Sequence, residues 1–274
     1  MDLRDVGPGW LFCPADRPER FAKAAAAADV VILDLEDGVA EADKPAARKA
    51  LRETPLDPAR TVVRINAADT DEHARDLDAL ADTAYTTVML SKTESAAQVT
   101  ALAPRDVVAL IETPRSAVFV SEIAAAQGTA ALMWGAEDLV ATLGGSSSRL
   151  ADGTYRDVAR HVRSATLLAA SAFGRIALDA VHLDIRDIDG LRAEADDAVA
   201  VGFDGTVCIH PTQIPVVREA YRPSEEKLDW ARRVLAAARS ERGVFAFEGQ
   251  MVDSPVLKHA AMLLRRAGEQ PASG

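Results

Sequence analysis

The sequence predicts an α/β protein: a closed parallel (β/α)8 barrel, or TIM barrel, with a C-terminal helical appendage. Short apolar, β-branched runs alternate with Ala-rich helical segments, and eight such strand–helix units follow one another without a long interruption. The chain has 274 residues, which is enough for one large α/β barrel. We therefore expect the barrel over residues 1–222 and the helical extension over residues 223–274.

The predicted strands are runs in which β-branched and other apolar residues dominate. In chain order they are WLFCPA (10–15), VVILDLED (30–37), TVVRIN (61–66), TTVMLSK (86–92), VVALIET (107–113), ALMWGAED (131–138), IALDAVHLDI (176–185) and GTVCIHP (205–211). Segments with helical periodicity, such as PERFAKAAAAA and DEHARDLDALAD, separate most of them. An open doubly wound sheet is the alternative, but its first strand is usually followed by a Gly-rich turn, and PADRPER is not such a turn.

The chain continues beyond the eighth unit with further elements. SEEKLDWARRVLAAARSERG (224–243) has the spacing of an amphipathic helix, FAFEGQMVDSP is typical of a turn or short hairpin, and VLKHAAMLLRRAG predicts a last helix. We expect this extension to pack on the barrel or on a neighbouring subunit.

Charge and composition exclude several classes of protein. The formal net charge of −11 argues against a nucleic-acid-binding surface, although a local basic site for a phosphorylated ligand stays open. The two cysteines, Cys13 and Cys208, form no zinc or disulfide pattern. The sequence has no signal-peptide pattern and no apolar run long enough to span a bilayer. We expect a cytoplasmic protein that binds neither nucleic acid nor membrane.

Most predicted strands end in an ionisable residue that follows a buried run directly. The active site of such a barrel lies at the C-terminal ends of its strands, so these groups are expected at one mouth. They are Glu36 and Asp37 after strand two, Arg64 after three, Lys92 after four, Glu112 after five, Glu137 and Asp138 after six, and His210 after eight.

Glu112 and Asp138 follow adjacent strands and suggest a metal site. Two neighbouring carboxylates repel each other unless a proton or a cation lies between them. Oxygen ligands at a few positions, with the others left to water or substrate, suit Mg²⁺, with Mn²⁺ as a possible substitute. We therefore predict a magnesium site at this pair. An ion-pair network with Arg64 and Lys92 is the alternative.

Arg64 and the segment GAEDL are candidate anion-binding features. The planar guanidinium of Arg64 matches a carboxylate bidentately, and its alternative role is a structural salt bridge to Glu36 or Asp37. Gly135 permits close approach of the backbone, and a helix starting after it would aim free N–H groups at an anion.

Eight segments together resemble one known family. In order they are LFCPADRPERFAKA, ADVVILDLEDGV, VVRIN, MLSKTES, ALIETP, MWGAEDL, GFDGTVCIHPTQI and MVDSPV. They are similar to the citrate lyase beta-subunit and malyl-CoA lyase branch of the HpcH/HpaI aldolase superfamily, from about residue 8 to about residue 267. The resemblance implies a (β/α)8 barrel that assembles as a homotrimer and uses magnesium to cleave or form carbon–carbon bonds in acyl thioesters.

The resemblance also implies roles for the matching residues. Glu112 and Asp138 would be the metal ligands, and Arg64 would hold the carboxylate or carbonyl fragment. Glu36 and Asp37 would lie beside the reacting centre. Asp253 matches an acid that reaches into the neighbouring subunit's site, where it would transfer a proton at the thioester carbon.

Contacts to the substrate follow from the same resemblance. Gly135, Ala136 and Glu137 would offer backbone amides to the small acid, and Lys92 would be a further contact. Coenzyme A needs cations at the rim, and the candidates beyond the first two strands are Arg17, Lys23, Lys44 and Arg48.

The sequence departs from the family pattern at three places. Cys13-Pro14-Ala15 stands where VPG is usual, Ser91 precedes Lys92 where proline is usual, and Thr206 stands where lysine is common. These departures concern thioester contacts and substrate choice more than the metal site.

The expected function is that of a Mg-dependent carbon–carbon lyase. It would cleave, or form by Claisen-type condensation, a carboxylated 3-hydroxyacyl-CoA such as malyl-, citramalyl-, citryl- or hydroxymethylglutaryl-CoA, with acetyl-CoA and a carbonyl compound or keto acid as products. One alternative is a citrate lyase beta subunit that acts on citryl-acyl-carrier-protein within a complex. Another is a metal-dependent aldolase that acts on free hydroxy-keto acids.

Overall fold

The computed structural model describes residues 6–241 and 243–269 of the chain. Eight parallel strands close into one barrel, in which each strand pairs with the next along the chain and the last pairs with the first. The strands are β1 (Gly9–Pro14), β2 (Val30–Asp34), β3 (Thr61–Ile65), β4 (Thr87–Leu90), β5 (Asp106–Ile111), β6 (Thr129–Trp134), β7 (Ile176–Asp179) and β8 (Gly205–Cys208). The predicted (β/α)8 barrel is confirmed.

Helices follow the strands as the alternation predicts. They are α1 (Phe21–Ala27), α2 (Lys44–Glu53), α3 (Asp71–Ala81), α4 (Ala96–Thr100), α5 (Pro114–Val118), α6 (Val120–Ala125), α7 (Ala136–Thr142), α8 (Asp157–Ala172), α9 (Ile188–Val201) and α10 (Ile214–Tyr221). Within the described ranges, none of the helices combines the length and apolar character that crossing a membrane requires.

The barrel interior is filled by alternate residues of the strands. Successive side chains of a strand point to opposite faces, and one apolar cluster takes every second residue of several strands. Its buried members are Trp10, Val30, Ile32, Val62, Met89, Val108, Leu110, Ala131, Met133, Ile176, Leu178 and Val207. The intervening residues, such as Val31 and Leu33, are buried as well. Strands buried on both faces explain the near-continuous apolar runs in the sequence.

The observed strands end earlier than several predicted ones, most clearly at β7. The run IALDAVHLDI predicts a strand over 176–185, but β7 ends at Asp179. Beyond it, Leu183 and Ile185 have 51% and 40% of their surface exposed. The alternating pattern therefore continues into a loop, where no neighbouring strand pairs with it.

The chain forms two compact units, with the boundary between Arg218 and Glu219. The second unit contains α11 (Glu225–Ala238), an antiparallel hairpin of β9 (Phe245–Phe247) and β10 (Gln250–Val252), and α12 (Ser254–Arg266). Its own core consists of Leu228, Ala231, Val234, Val252, Ala260, Leu263 and Leu264. The expected helix, hairpin and last helix are all present. Packing of this unit on the barrel or on a neighbouring subunit stays a prediction.

Candidate active site

Polar residues occupy the inward-facing positions at the ends of the strands, where the strands reach the barrel mouth. Val62 and Leu110 belong to the interior cluster, and the residues two positions further along are Arg64 and Glu112. Strand β2 likewise ends on the buried Asp34. Because side chains alternate between the two faces of a strand, these three groups continue the interior face. The alternation therefore places an arginine between two carboxylates at the mouth.

Asp34 holds the guanidinium of Arg64 at two points. Arg64 Nε donates to Asp34 Oδ1 at 2.7 Å, and Nη2 donates to Asp34 Oδ2 at 2.6 Å. Nη1 lies 3.1 Å from Glu36 Oε2, and the guanidinium carbon lies 4.6 Å from the centre of the Phe12 ring. Burial would lower the pKa of Arg64, but the ion pair with Asp34, followed by that with Glu36, raises it above its ordinary value.

The fork of Arg64, which we predicted would clamp a substrate carboxylate, is therefore occupied by Asp34. Of its two predicted structural partners, Arg64 pairs with Glu36. Asp34 was not among the predicted site residues, although the alternation of Val30, Ile32 and Asp34 already indicates that its carboxylate faces the interior. Asp34 orients Arg64, and contact of Arg64 with a substrate stays a prediction.

Glu112 is a buried carboxylate beside other acids. It is 3% exposed, and its Oε1 accepts the backbone N–H of Lys92 at 2.8 Å. Burial, followed by the negative charges of Asp138 and Glu36, raises the pKa of Glu112 to about 8. A carboxyl group that ionises this reluctantly becomes an anion readily once a cation lies beside it.

Gly135 provides the space that Glu112 occupies. A Cβ added at Gly135 would lie 3.0 Å from both Cβ and Oε2 of Glu112. The Gly135 N–H donates to the carbonyl of Ile111 at 3.0 Å, so this amide is already used within the barrel and does not face a small acid, contrary to expectation. Ala136 and Glu137 begin α7, and first-turn amides have no partner within their helix. These two remain the predicted amide donors.

Lys92 connects the acids of several strand ends. Its Nζ contacts Glu36 Oε1, lies 3.4 Å from Asp37 Oδ2, and lies 3.8 Å from Asp138 Oδ1. Burial would lower the pKa of Lys92, but the hydrogen bond with Glu36 raises it above its ordinary value. Part of the ion-pair network that the sequence suggested as an alternative to a metal is therefore present.

The carboxylates of Glu112 and Asp138 are oxygen donors of the kind that Mg²⁺ prefers. Strand β5 pairs with β6, which places the two residues after neighbouring strands. Glu112 is buried, whereas the Asp138 side chain is 39% exposed, so the pair offers one anchored and one accessible carboxylate. Among the residues that the structure describes, no group of three or more His, Cys, Asp or Glu side chains could hold a metal. A cation here would complete its coordination with oxygens of substrate or water.

Glu36 and Asp37 lie next to each other but in different surroundings. Glu36 is 4% exposed and pairs with both Arg64 and Lys92, and its burial raises its pKa above the ordinary value. The Asp37 side chain is 60% exposed. Glu36 is therefore a fixed part of the network, and Asp37 is the acid that a ligand can reach.

Lys44 does not lie at the rim as a coenzyme contact, contrary to prediction. It is buried, and its Nζ donates to the carbonyls of Leu35 and Glu36 at 2.9 and 3.2 Å and to Asn66 Oδ1 at 2.7 Å. These three bonds use all the donors of an ammonium group. Lys44 therefore fixes the backbone that carries Glu36.

Arg48 also does not lie at the rim as a coenzyme contact, contrary to prediction. It is buried, its Nε donates to Asp76 Oδ1 at 2.7 Å, and its Nη2 pairs with Glu72. The physical reason is helical phase, because Lys44 and Arg48 share the buried face of α2 with Ala47 and Leu51. Arg48 ties α2 to α3.

Arg17 and Lys23 are exposed and stay candidate coenzyme contacts. The Arg17 side chain is 54% exposed and lies 3.3 Å from Asp16. Lys23 lines a cavity of about 370 Å³ together with Arg20 and His210, at the ends of β1 and β8. A cavity with these groups at its wall suits a phosphorylated ligand.

The loop between α7 and α8 contacts α7, α9 and the end of β6. Ser148 donates to Glu137 Oε1 at 2.6 Å, and Arg149 pairs with Glu194 of α9. The Arg149 guanidinium lies 3.7 Å from the ring centre of Tyr155, whose ring meets that of Trp134 edge-on at 5.0 Å. A cavity of about 660 Å³ opens beside this cluster.

Asp253 belongs to the second compact unit. It is the N-cap of α12, where its Oδ1 accepts the Val256 N–H at 3.4 Å. Its predicted role in a neighbouring subunit's site stays a prediction.

Comparisons with known proteins agree on one family. Residues 9–211 match the family described as HpcH/HpaI aldolase/citrate lyase. A citrate lyase subunit beta-like protein of Mycobacterium tuberculosis (strain ATCC 25618 / H37Rv) is 80% identical over 98% of both chains. The mitochondrial citramalyl-CoA lyase of Homo sapiens is 31% identical, over 91% of this chain and 82% of the relative. The crystal structure of Mycobacterium tuberculosis CitE in complex with magnesium, acetoacetate and coenzyme A is 80% identical, with a TM-score of 0.93 over 97% of this chain and all of that one.

Proposed function

Because the chain belongs to the HpcH/HpaI aldolase/citrate lyase family, we propose that it is a Mg-dependent lyase of carboxylated 3-hydroxyacyl-CoA esters. It cleaves such an ester to acetyl-CoA and a keto acid or other carbonyl compound, or joins them by Claisen-type condensation. The substrate candidates are malyl-, citramalyl-, citryl- and 3-hydroxy-3-methylglutaryl-CoA. The observation that carries the proposal is the Glu112–Asp138 carboxylate pair beside Arg64 at the barrel mouth.

Glu112 and Asp138 would hold the magnesium ion. The Mycobacterium tuberculosis relative binds magnesium together with acetoacetate and coenzyme A, which supports the same ligands here. When bound, Mg²⁺ polarises the oxygen atom at the carbon where the bond breaks and lowers the pKa of a hydroxyl group there.

Arg64 and the first-turn amides of Ala136 and Glu137 bind the carboxylate end of the substrate. Asp34 fixes the guanidinium before the substrate arrives, so little orientational freedom is lost on binding. The donors of Arg64 that face neither Asp34 nor Glu36 are available to a ligand.

Two acids move protons. Glu36 is held by Arg64 and Lys92, so the accessible Asp37 is the better candidate to take the proton of the substrate hydroxyl in the cleavage direction. The carbon–carbon bond then breaks, and its electrons leave as a thioester enolate. Asp253 of a neighbouring subunit in a homotrimer protonates the enolate carbon and completes acetyl-CoA.

Coenzyme A binds along the cavity at the ends of β1 and β8. Lys23 lines this cavity, and the exposed Arg17 is six residues before Lys23 in the sequence. Both offer positive charge to the phosphates of the nucleotide.

The test is a substrate panel offered to the purified protein with Mg²⁺. The four CoA esters are supplied separately, and acetyl-CoA and the carbonyl product are measured. Cleavage of at least one ester, abolished by EDTA, is the expected result. If no ester is cleaved while Mg²⁺ still binds, the CoA-lyase proposal fails. Activity on citryl-acyl-carrier-protein or on free hydroxy-keto acids would then identify the alternative.

A further inference from the structure

Lys92 is held in an unusual backbone conformation by its neighbours. Its φ angle is 48°, in the left-handed region that residues other than glycine seldom adopt. Ser91 and Thr93 on either side are fully buried. The Ser91 hydroxyl donates to the carbonyl of Ile65 at 2.8 Å, and the Thr93 hydroxyl donates to the carbonyl of Leu90 at 2.7 Å. The strain at Lys92 is therefore imposed by a fixed surrounding structure.

This conformation makes one residue contact both predicted metal ligands. The backbone N–H of Lys92 donates to Glu112 Oε1 at 2.8 Å, while its ammonium group lies 3.8 Å from Asp138 Oδ1. The amide fixes the buried carboxylate, and the ammonium supplies positive charge beside the accessible one. Lys92 therefore contacts each of the two carboxylates of the predicted metal site.

The acids at the mouth outnumber the cations. Asp34, Glu36, Asp37 and Asp138 contact the two cations of this network, Arg64 and Lys92. Arg64 is committed to Asp34 and Glu36. Lys92 therefore contributes positive charge where a divalent cation would bind, and the two repel each other.

We propose that Lys92 lowers the affinity of the empty site for divalent cations, so that the metal is held tightly only together with a carboxylate-bearing substrate. A substrate carboxylate attracts the Lys92 ammonium away from Asp138, and the Asp138 oxygen is then free for the metal. The two ligands therefore strengthen each other's binding, and this coupling is reciprocal. The inference rests on the proposed function, because it takes the Glu112–Asp138 pair as the metal site.

The experiment is a titration of the full-length protein with Mn²⁺, in which free Mn²⁺ is measured by electron paramagnetic resonance. Wild type is compared with Lys92→Met, which removes the charge but keeps the backbone amide and an unbranched apolar side chain one atom shorter. Lys92→Arg, which keeps the charge, is the matched control. Each titration is run with and without pyruvate, a small keto acid. Circular dichroism establishes that all three proteins are folded.

Without pyruvate, we expect Lys92→Met to bind Mn²⁺ more tightly than wild type, on the order of tenfold, as removal of one nearby positive charge predicts. Lys92→Arg should bind like wild type. Pyruvate should tighten Mn²⁺ binding by a larger factor in wild type than in Lys92→Met.

Two outcomes overturn the inference in distinguishable ways. If Lys92→Met binds Mn²⁺ no more tightly than wild type, the proposed role of Lys92 is disproved, but the metal site remains. Absence of Mn²⁺ binding in all three folded proteins would disprove the proposed metal site itself.

Discussion

The guanidinium of Arg64 is held by two parallel hydrogen bonds to Asp34, and this geometry decides what can replace it. Only a planar fork can meet both oxygens of one carboxylate while a further nitrogen faces Glu36. A lysine offers one point charge on a flexible stem. The position is therefore specific for arginine, not for positive charge alone.

Arg64→Lys should lower kcat/KM by about 100-fold, since the charge remains but its orientation is lost. The measurement is steady-state cleavage of whichever CoA ester the panel identifies. Arg52→Lys, at an exposed position of α2, is the control and should change kcat/KM by less than about threefold. Equal effects of both substitutions would show that Arg64 acts only through its charge.

The sequence predicts which residues stand at the mouth better than it predicts their partners. Arg64, Glu112 and Asp138 could be assigned because strand ends converge in a barrel. The bond between Arg64 and Asp34 depends on the register of β2 against β3, which pairs these two residues directly. The positive φ of Lys92 depends on tertiary contacts that leave no local pattern.

At the scale of elements, helix α2 shows why Lys44 and Arg48 are buried, although the sequence predicts them at the rim as coenzyme contacts. Lys44, Ala47, Arg48 and Leu51 recur at helical spacing, and all four are buried. The spacing was visible in the sequence, but charged residues are usually exposed, and burial requires partners that only the fold reveals. Asn66, Asp76 and Glu72 are those partners.

Lys44→Met should destabilise the protein by about 2–4 kcal/mol, because it removes three buried hydrogen bonds and takes the ammonium donor from Asn66 Oδ1. Urea unfolding measures the change. Lys23→Met, at an exposed position, is the matched control and should shift the free energy of unfolding by less than about 0.5 kcal/mol. Unchanged stability with a raised KM for the CoA ester would restore Lys44 as a coenzyme contact.

The loop between β7 and α9 carries the second prediction at the scale of elements. His182 Nδ1 lies 2.9 Å from Glu194 Oε2, and its Nε2 lies 3.3 Å from Asp187 Oδ2, while Arg149 also pairs with Glu194. The hydrogen bond with Glu194 is the largest effect and raises the pKa of His182 above its ordinary value near 6.5. Protonated His182 therefore stabilises the folded protein.

This stabilisation should be complete below about pH 6.5 and should disappear as the pH rises through the higher pKa of the folded state. We expect His182→Gln to lower the urea midpoint more at about pH 5.5 than at about pH 8.5. The exposed His161, changed to glutamine, serves as control and should show no such difference. A loss of stability at His182→Gln that is equal at both pH values would contradict the account.

At the scale of the whole molecule, the regular repetition of strand and helix made the barrel predictable. Eight strand–helix units leave few topologies, and parallel pairing of successive strands follows. The helices and hairpin of the C-terminal unit could be predicted from the sequence, but the surface on which the unit packs could not. The apolar face of an amphipathic helix indicates that it packs on a partner but does not identify that partner.

The homotrimer with Asp253 acting across subunits is testable by complementation. Light scattering should give three times the 29.1 kDa of one chain. Asp138→Asn and Asp253→Asn should each be inactive alone, and co-expressed mixed oligomers should regain part of the activity. Recovery occurs because an intact barrel mouth can receive Asp253 from the other variant. Mixed oligomers that stay inactive would place Asp253 in its own subunit's site or outside catalysis.

The measurement that tests the central claim most directly is the rate of CoA-ester cleavage as a function of Mg²⁺ concentration, for wild type and Asp138→Asn. The account predicts a wild-type rate that saturates with Mg²⁺ and vanishes in EDTA. The folded variant should lose on the order of 100-fold or more of the rate. Full turnover in EDTA, or an unchanged magnesium dependence in Asp138→Asn, would contradict the assignment of the Glu112–Asp138 pair as the metal site of a carbon–carbon lyase.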